Sequence, residues 1–266
     1  MSGGCWCAYS GVVANSFAAA AASGGTVGLQ NSTIASAVTT ASSFDVTVNV
    51  GPSGPRLFVL ALGTTRDGSS PTGEVSSFGI TATIGGTAMT LPGVENGTSW
   101  LNAAFTQGGR LEHRFIEESS LASSQTLTIS FDTIGGVSGA TSFSTAVTHS
   151  IVLAVFTLDT SFSRIDGFVG RGTGGNDSAF VTTQTQQLFF GASMALVTAA
   201  TTPTWGGSVL SPSTFTPSSW VFDNCKMSFG YQVTEFTGVN SSDVSINWND
   251  TVDYMWVASH GKSPAP

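Results

Sequence analysis

The chain has 266 residues, of which 41% are hydrophobic and only 9% are charged, and its formal net charge is −8. This acidic balance argues against binding to nucleic acid or to an anionic membrane surface, because both need a basic footprint. No apolar run approaches the roughly 20 residues that a membrane-spanning helix needs. The abundance of Gly, Ser, Thr and Phe favours strands and turns over helices. A surface so poor in charge is more typical of a protein that assembles.

The first 44 residues contain no Asp, Glu, Lys, Arg or His. A free tail is usually kept soluble by charge, so we expect this segment to be buried against something. One interpretation is the first strand or two of the domain. The other is an extended assembly arm, residues 1–43, that lies against neighbouring subunits and adds to their sheets. Its candidate contact residues are Cys5, Trp6, Cys7, Tyr9 and Phe17.

No secretion signal is predicted, because no basic residue precedes the apolar Ala18–Ala22 run. We therefore expect the protein to be made and to fold in the cytoplasm, without export.

Strand-like segments separated by turn signals fill the rest of the chain. Phe44–Val50 alternates between apolar and polar residues, whereas Arg56–Leu62 is a nearly continuous apolar run typical of a central strand. Paired glycines after Ile84 suit a two-residue hairpin turn. The regular spacing of short strands predicts a sandwich or a barrel. The later strand-like segments are Leu111–Ile116, Thr126–Phe131, Ser150–Leu158, Ala179–Leu196, Cys225–Thr237, Asp243–Trp248 and Tyr254–Ser259.

The strand series occurs twice along the chain. Two architectures fit such a repeat: two small sandwiches, or one jelly roll built from two similar Greek keys. Because each half offers only four or five convincing strands, we expect one jelly roll over residues 44–266, with halves of about 44–165 and 166–260. The matching segments are Arg56–Leu60 with Gln187–Gly191, Thr83–Thr87 with Thr204–Ser208, and Leu127–Phe131 with Val244–Trp248.

Two of these segments resemble a jelly-roll domain that recurs in bacteriophage structural proteins and some bacterial surface proteins. They are the Gly54–Leu62 strand and the Thr81–Thr90 hairpin, and Ser123–Ser130 and Val152–Phe156 are similar to the strands that follow in that family. The sequence departs from the family at Ile84, where an aromatic residue is usual. The resemblance covers about residues 44–260. It implies an all-β fold, a two-sheet antiparallel jelly-roll sandwich, with no catalytic activity tied to it.

No motif for catalysis, a cofactor or a metal is convincing. The three histidines, His113, His149 and His260, lie apart with no metal-ligand spacing. Gly191–Ala195 resembles a nucleophile elbow, but it lacks the second glycine and falls within a strand. The acidic pairs, Glu117 with Glu118 and Asp250 with Asp253, are interpreted as solvated loop charges. The prediction is a non-enzymatic protein with no catalytic residues, no cofactor and no metal.

Two hypotheses for function follow. The first is a virion structural protein that decorates or cements the phage head, with the major capsid protein and copies of itself as partners, as a homotrimer or another homo-oligomer. The second is a carbohydrate- or receptor-binding module of a tail fibre or surface protein, with glycans as partners. Trp205 and Trp220 lie among Gly, Pro and Ser and are predicted to be exposed, whereas the alternation around Trp248 favours the core. The candidate ligand surface is Trp205, Trp220, Trp248, Asn249 and Asp250.

Overall fold

A computed structural model describes residues 15–16, 27–67, 79–90, 97–101, 107–135, 137–158, 163–173, 176–181, 186–195, 202–207, 216–222, 225–236, 242–248 and 253–262. The regular structure in these ranges is entirely β-strand, and every described strand pair is antiparallel. The predicted all-β class is therefore confirmed. A search of the described residues for a helix long and apolar enough to cross a membrane finds none.

The strands fall into two groups along the chain. The first half contains β1 Asn15–Ser16, β2 Gly28–Ala41, β3 Ser43–Asn49, β4 Arg56–Asp67, β5 Gly79–Ile84, β6 Thr87–Met89, β7 Gly97–Leu101, β8 Gln107–Glu118, β9 Ser124–Ile134, β10 Val137–Ser138 and β11 Ser142–Thr157. The second half contains β12 Ser163–Thr173, β13 Asn176–Val181, β14 Gln186–Ala195, β15 Thr204–Gly206, β16 Thr216–Phe222, β17 Cys225–Phe236, β18 Ser242–Asn247 and β19 Asp253–Lys262.

The described strands form four sheets, two in each half. In the first half, sheet I has the order β1-β2-β11-β4-β8-β7, and sheet II has the order β10-β9-β5-β6 with β3 also paired to β9. In the second half, sheet III has the order β12-β19-β14-β17-β16, and sheet IV has the order β13-β18-β15. No strand of one half pairs with a strand of the other within the described ranges. The expectation of a single two-sheet unit is therefore wrong in its number of sheets.

The two halves share one strand order. Sheet I contains β2-β11-β4-β8 where sheet III contains β12-β19-β14-β17, and sheet II contains β3-β9-β5 where sheet IV contains β13-β18-β15. The repeated sequence segments lie on equivalent strands of this scheme: β4 with β14, the end of β5 with β15, and β9 with β18. The predicted two-residue turn is present in the first half, because Ile84 pairs with Thr87, and Gly85 and Gly86 have φ of 53° and 82°.

Strand β4, in the centre of sheet I, is buried on both faces, which explains its continuous apolar run. Leu57, Val59 and Ala61 belong to a core shared with sheet III, through residues such as Phe190 and Met194. Phe58, Leu60 and Leu62 alternate with them and belong to a second core, shared with sheet II. Successive side chains of a strand point to opposite faces, so a strand between two sheets has no polar face.

Strand counting favoured one unit because it found too few strands in each half. The described ranges contain eleven strands in the first half and eight in the second, and sheets I and III also cover each other. Phe190 of sheet III contacts His113 and Phe115 of sheet I, and Phe156 of sheet I contacts Tyr231 of sheet III, with ring centroids 5.3–6.2 Å apart.

The N-terminal region differs from the predicted arm. Residues 28–41 form β2, which pairs with β11 from Gly28 to Ala41 inside its own sheet, so the expected arm boundary at residue 43 is wrong for this stretch. Asn15 and Ser16 pair with Ile34 and Thr33 of β2. The proposed arm contacts, Cys5, Trp6, Cys7, Tyr9 and Phe17, lie outside the described residues.

Candidate functional site

The outer side of β2 has little strand pairing in the described structure. On its inner side, β11 pairs with the whole strand. On its outer side, the described part of the chain supplies only β1, which pairs with Thr33 and Ile34. We call the outer side of residues 28–41 the β2 edge. Its remaining N–H and C=O groups have no strand partner among the described residues, and an edge of this kind is a template for pairing with another strand.

The β2 edge differs chemically from the other long edges. Proteins normally protect an edge strand with charged side chains or proline. Among the described edge strands longer than five residues, β2 alone contains neither. The protective residues elsewhere are Asp45 in β3, Arg164, Asp166 and Arg171 in β12, Asp177 in β13, and Pro217 in β16. With 14 residues, β2 is also the longest strand in this comparison.

The centre of β2 is buried by packing, whereas its C-terminal end is exposed. Ile34 and Ala35 are buried on opposite faces, one in each core. The Asn31 side chain donates from Nδ2 to the Asn49 carbonyl at 2.7 Å, which ties β2 to the end of β3. Burial then declines along the strand, and the Val38 side chain is 54% exposed. An ordered strand with an exposed apolar residue at an open edge is suited to recognition by strand addition.

The candidate nucleophile Ser193 is part of the packing between sheets III and IV. Its hydroxyl donates to the Met255 carbonyl at 2.7 Å and accepts a hydrogen bond from Trp248 Nε1 at 2.8 Å. The side chain is fully buried near the C-terminal end of β14. Both hydrogen bonds hold strands together, and a substrate has no access to this oxygen.

The described histidine side chains are also structural. His113 Nε2 lies 2.8 Å from Ser259 Oγ in the packing between sheets I and III. His149 stacks against both Phe44 and Phe131, with ring centroids 4.8 and 4.9 Å away, and its Nδ1 lies 3.1 Å from Thr64 Oγ1. Burial lowers the pKa of His149 to about 3, so it is neutral at physiological pH. The side chain of His260 lies outside the described residues.

Acidic side chains make local structural contacts. The Glu118 carboxylate accepts hydrogen bonds from the Ser120 hydroxyl, the Ser120 N–H and the Leu121 N–H, and the bonds from Ser120 lower the pKa of Glu118. The buried Glu112 pairs with Arg114 at 2.7 Å and with Arg110 at 3.2 Å. No group of three or more His, Cys, Asp or Glu residues suited to a metal ion occurs in the described ranges.

Two residues of the candidate ligand surface, Trp205 and Trp248, are buried. The Trp205 side chain is 2% exposed, so the prediction that it lies at the surface is wrong. It packs edge-on against Phe189 and Trp256, over Gly191, whose missing side chain leaves the space. Trp248 is fully buried, which confirms the interpretation that it belongs to the core. Asn249, Asp250 and the side chain of Trp220 lie outside the described residues.

The β2 edge was the feature that sequence reasoning missed. Its signal was present in the β-branched residues Thr33, Ile34, Val38, Thr39 and Thr40, which suit a pleated surface. No protein-family model matches this chain, and a search of curated proteins finds no significant match.

Proposed function

We propose that this protein is a non-enzymatic structural protein of a bacteriophage particle, a decoration or cement subunit on the head. Its partners are the major capsid protein and further copies of itself. It stabilises the shell by adding interface area and strand pairing between subunits. The observation that carries the proposal is the β2 edge, a long uncharged strand whose outer side is largely open among the described residues.

The proposal includes a specific fold for each half, a jelly-roll sandwich. An eight-stranded jelly roll consists of two Greek keys folded into two sheets. If β2, β3, β4, β5, β6, β8, β9 and β11 are numbered one to eight, sheet I has the order 1-8-3-6 and sheet II the order 2-7-4-5. Sheets III and IV repeat this order over the strands that are described. These orders support two jelly rolls in tandem in place of one.

Electrostatics and burial support assembly over catalysis. The side chains whose chemistry could serve catalysis are Ser193, His113 and His149. All three are buried and hydrogen-bonded within the fold. A surface with few charges loses little hydration free energy when it is covered, since burying an unpaired charge is far more costly than burying a hydroxyl or a methyl group. The low charge content of 9% therefore suits a protein whose surface is buried in contacts with neighbouring subunits.

The carbohydrate- or receptor-binding hypothesis has less support. Two of the five residues that it depends on, Trp205 and Trp248, are buried between sheets III and IV. A sugar stacks on an exposed aromatic face, and neither ring presents one.

Co-sedimentation with empty shells tests the proposal. The shells are assembled from the major capsid protein of the phage that encodes this chain, and binding is compared for the wild type, Val38→Lys and Val137→Lys. Val38 and Val137 are both well-exposed valines, at 54% and 61%, but Val137 lies in the two-residue strand β10. We expect the wild type and Val137→Lys to bind, and Val38→Lys to bind at least tenfold more weakly, because a lysine protects an edge strand.

Two results contradict the proposal. One is a folded wild-type protein that does not bind shells at any ratio. The other is Val38→Lys binding as tightly as the wild type, which would exclude the β2 edge from the interface.

A further inference from the structure

We propose that Arg110, on β8, recognises a carboxylate group on an acidic segment of a partner protein. A chain of buried ion pairs orients its guanidinium group at the rim of the packing between sheets I and II. This inference goes beyond the proposed function and does not need it, because it assigns the ligand chemistry of a side chain outside the β2 edge.

Three alternate residues of β8 lie on the face of sheet I that sheet II covers. Arg110, Glu112 and Arg114 are paired with Thr64, Leu62 and Leu60 of β4, respectively. Directly opposite residues of an antiparallel pair share one face of the sheet. Because Leu60 and Leu62 belong to the core shared with sheet II, the three charged side chains line that core.

Hydrogen bonds fix this row of charged residues one after another. Arg114 donates to the backbone carbonyls of Ile80 and Met89 on sheet II, and its Nε donates to Glu112 Oε1 at 2.7 Å. The other carboxylate oxygen of the fully buried Glu112, Oε2, accepts a hydrogen bond from Arg110 Nε at 3.2 Å. Both carboxylate oxygens are therefore used, and Arg110 is oriented through its Nε.

The terminal nitrogens of Arg110, Nη1 and Nη2, can serve a ligand. Neither makes a hydrogen bond to a described residue, and the side chain is 22% exposed, against 8% for Arg114. A guanidinium group presents a planar fork that binds a carboxylate through two parallel hydrogen bonds. Because Glu112 already holds the Nε, less side-chain entropy is lost when a ligand binds this fork.

The second half shows that this kind of fold does not require the buried ion pairs. Because Arg56–Leu60 matches Gln187–Gly191, the pairing of β17 with β14 identifies the equivalent positions. Arg110, Glu112 and Arg114 correspond to Lys226, Ser228 and Gly230. Burying charged groups costs desolvation free energy, which the second half avoids at two of the three positions. A role for Arg110 in binding accounts for this cost in the first half.

Charge favours a single carboxylate of a protein as the ligand. The row carries two positive charges and one negative charge, whereas the whole chain has a net charge of −8. A nucleic acid makes many phosphate contacts and needs a basic footprint, which one arginine fork does not supply. One carboxylate needs only one fork, and exposed charges farther away than about 8 Å are largely screened at physiological salt.

Arginine labelling tests the accessibility of Arg110 and the class of its ligand. The full-length protein is treated with phenylglyoxal, which modifies accessible guanidinium groups, and each arginine is followed by mass spectrometry. The reaction is run alone and with hexaglutamate, hexaglutamine or inorganic phosphate at equal concentration. We expect Arg110 to be modified while the buried Arg56 and Arg114 are spared. Hexaglutamate should slow the modification of Arg110 about fivefold, because its carboxylates occupy the fork.

Three variants separate the guanidinium fork from simple positive charge. Each is titrated into fluorescently labelled hexaglutamate at low ionic strength, and binding is followed by anisotropy. Arg110→Gln should weaken binding about tenfold, and Arg110→Lys nearly as much, because an ammonium group lacks the planar fork. Lys226→Gln is the matched control from the second half and should leave binding unchanged. Arg110→Gln retains the pair between Glu112 and Arg114, so its urea midpoint should match that of the wild type.

The assignment is overturned if Arg110 stays unmodified in the free protein, because its guanidinium group would then be covered by the chain itself. It is also overturned if hexaglutamine or phosphate protects Arg110 as well as hexaglutamate does, or if Arg110→Lys binds as tightly as the wild type. Neither measurement uses shells. A negative result at Arg110 therefore leaves the decoration function standing, and a failure to bind shells leaves the carboxylate site standing.

Discussion

His113 on β8 and Ser259 on β19 form a buried hydrogen bond between the two halves of the chain, with 2.8 Å between Nε2 and Oγ. The surrounding contact between sheets I and III is otherwise largely apolar. Apolar packing is not directional, whereas a hydrogen bond requires two particular atoms to meet. This pair therefore specifies how sheet I is aligned on sheet III, and it links residues that are 146 positions apart.

Ser259→Ala should lower the free energy of unfolding by about 1–3 kcal/mol, because the buried His113 ring loses this partner. Ser138→Ala, at an exposed position in β10, is the matched control and should change stability by less than about 0.5 kcal/mol. Urea denaturation followed by tryptophan fluorescence measures both. Equal effects of the two substitutions would contradict a specific role for the hydrogen bond.

Stability should fall as the pH is lowered from 6.5 toward 3, because of His149. Burial lowers its pKa in the folded state to about 3, while its ordinary value of 6.5 applies to the unfolded chain. Between these values the unfolded state binds a proton that the folded state does not, so protons favour unfolding. The contribution is fully present above pH 6.5 and is lost at up to about 1.4 kcal/mol per pH unit below it.

His149→Phe isolates this effect from the titration of carboxylates. Phenylalanine fits an environment that already contains Phe44, Phe131 and Phe143, and it does not titrate. Its free energy of unfolding, measured in urea at pH 7, 6 and 5, should decline less steeply than that of the wild type. Parallel curves for the two proteins would exclude His149 as the cause.

Local pattern predicted the strands well, because period-two alternation and turn glycines are properties of short segments. Phe44–Val50, the Gly85-Gly86 turn and Thr126–Phe131 all lie where the pattern indicated. The number of sheets was not predictable in this way. The Arg56–Leu62 run reveals that β4 is buried on both faces, but it does not reveal that the second covering sheet comes from the other half.

Trp205, in the candidate site, also shows that local sequence does not reveal which residues pack together in space. Its neighbours in sequence are Pro, Thr and Gly, which are typical of an exposed turn. Its neighbours in space are Gly191, Phe189 and Trp256, all on strands of sheet III. Similarly, residues 28–41 have no charge and little alternation, so only the pairing with β11 distinguishes a strand from an arm.

Gly191→Ala should destabilise the protein more than Gly63→Ala does. A Cβ at position 191 would lie 2.7 and 2.9 Å from two ring atoms of Trp205, which is wedged between Phe189 and Trp256. At position 63 the closest atom is Met194 Sδ, also at 2.7 Å, but a methionine side chain adjusts at low cost. We expect a loss of about 1–3 kcal/mol for Gly191→Ala and under about 1 kcal/mol for Gly63→Ala. Thermal unfolding of both variants measures the difference, and a reversed order would contradict a rigid Trp205.

The isolated first half, residues 1–158, should associate or precipitate, because the face of sheet I that contacts sheet III becomes exposed. That face includes Val59, whereas the adjacent Leu60 points into the core with sheet II. Val59→Asp should therefore destabilise the full chain but improve the solubility of the isolated first half. In the full chain it places an unpaired charge in a core and should cost more than about 3 kcal/mol. In the isolated half it places that charge in water and should increase the soluble, monomeric fraction, measured by size-exclusion chromatography.

Leu60→Asp is the matched control, since it places the same charge one residue away on the opposite face of β4. Its side chain lies in the core that the first half forms by itself, so it should destabilise the full chain and the isolated half alike. If Val59→Asp lowers the soluble, monomeric fraction of the isolated half as much as Leu60→Asp does, sheet I does not need the second half to bury its face. An increase in that fraction with Val59→Asp alone would establish that the two halves stabilise each other through one shared core.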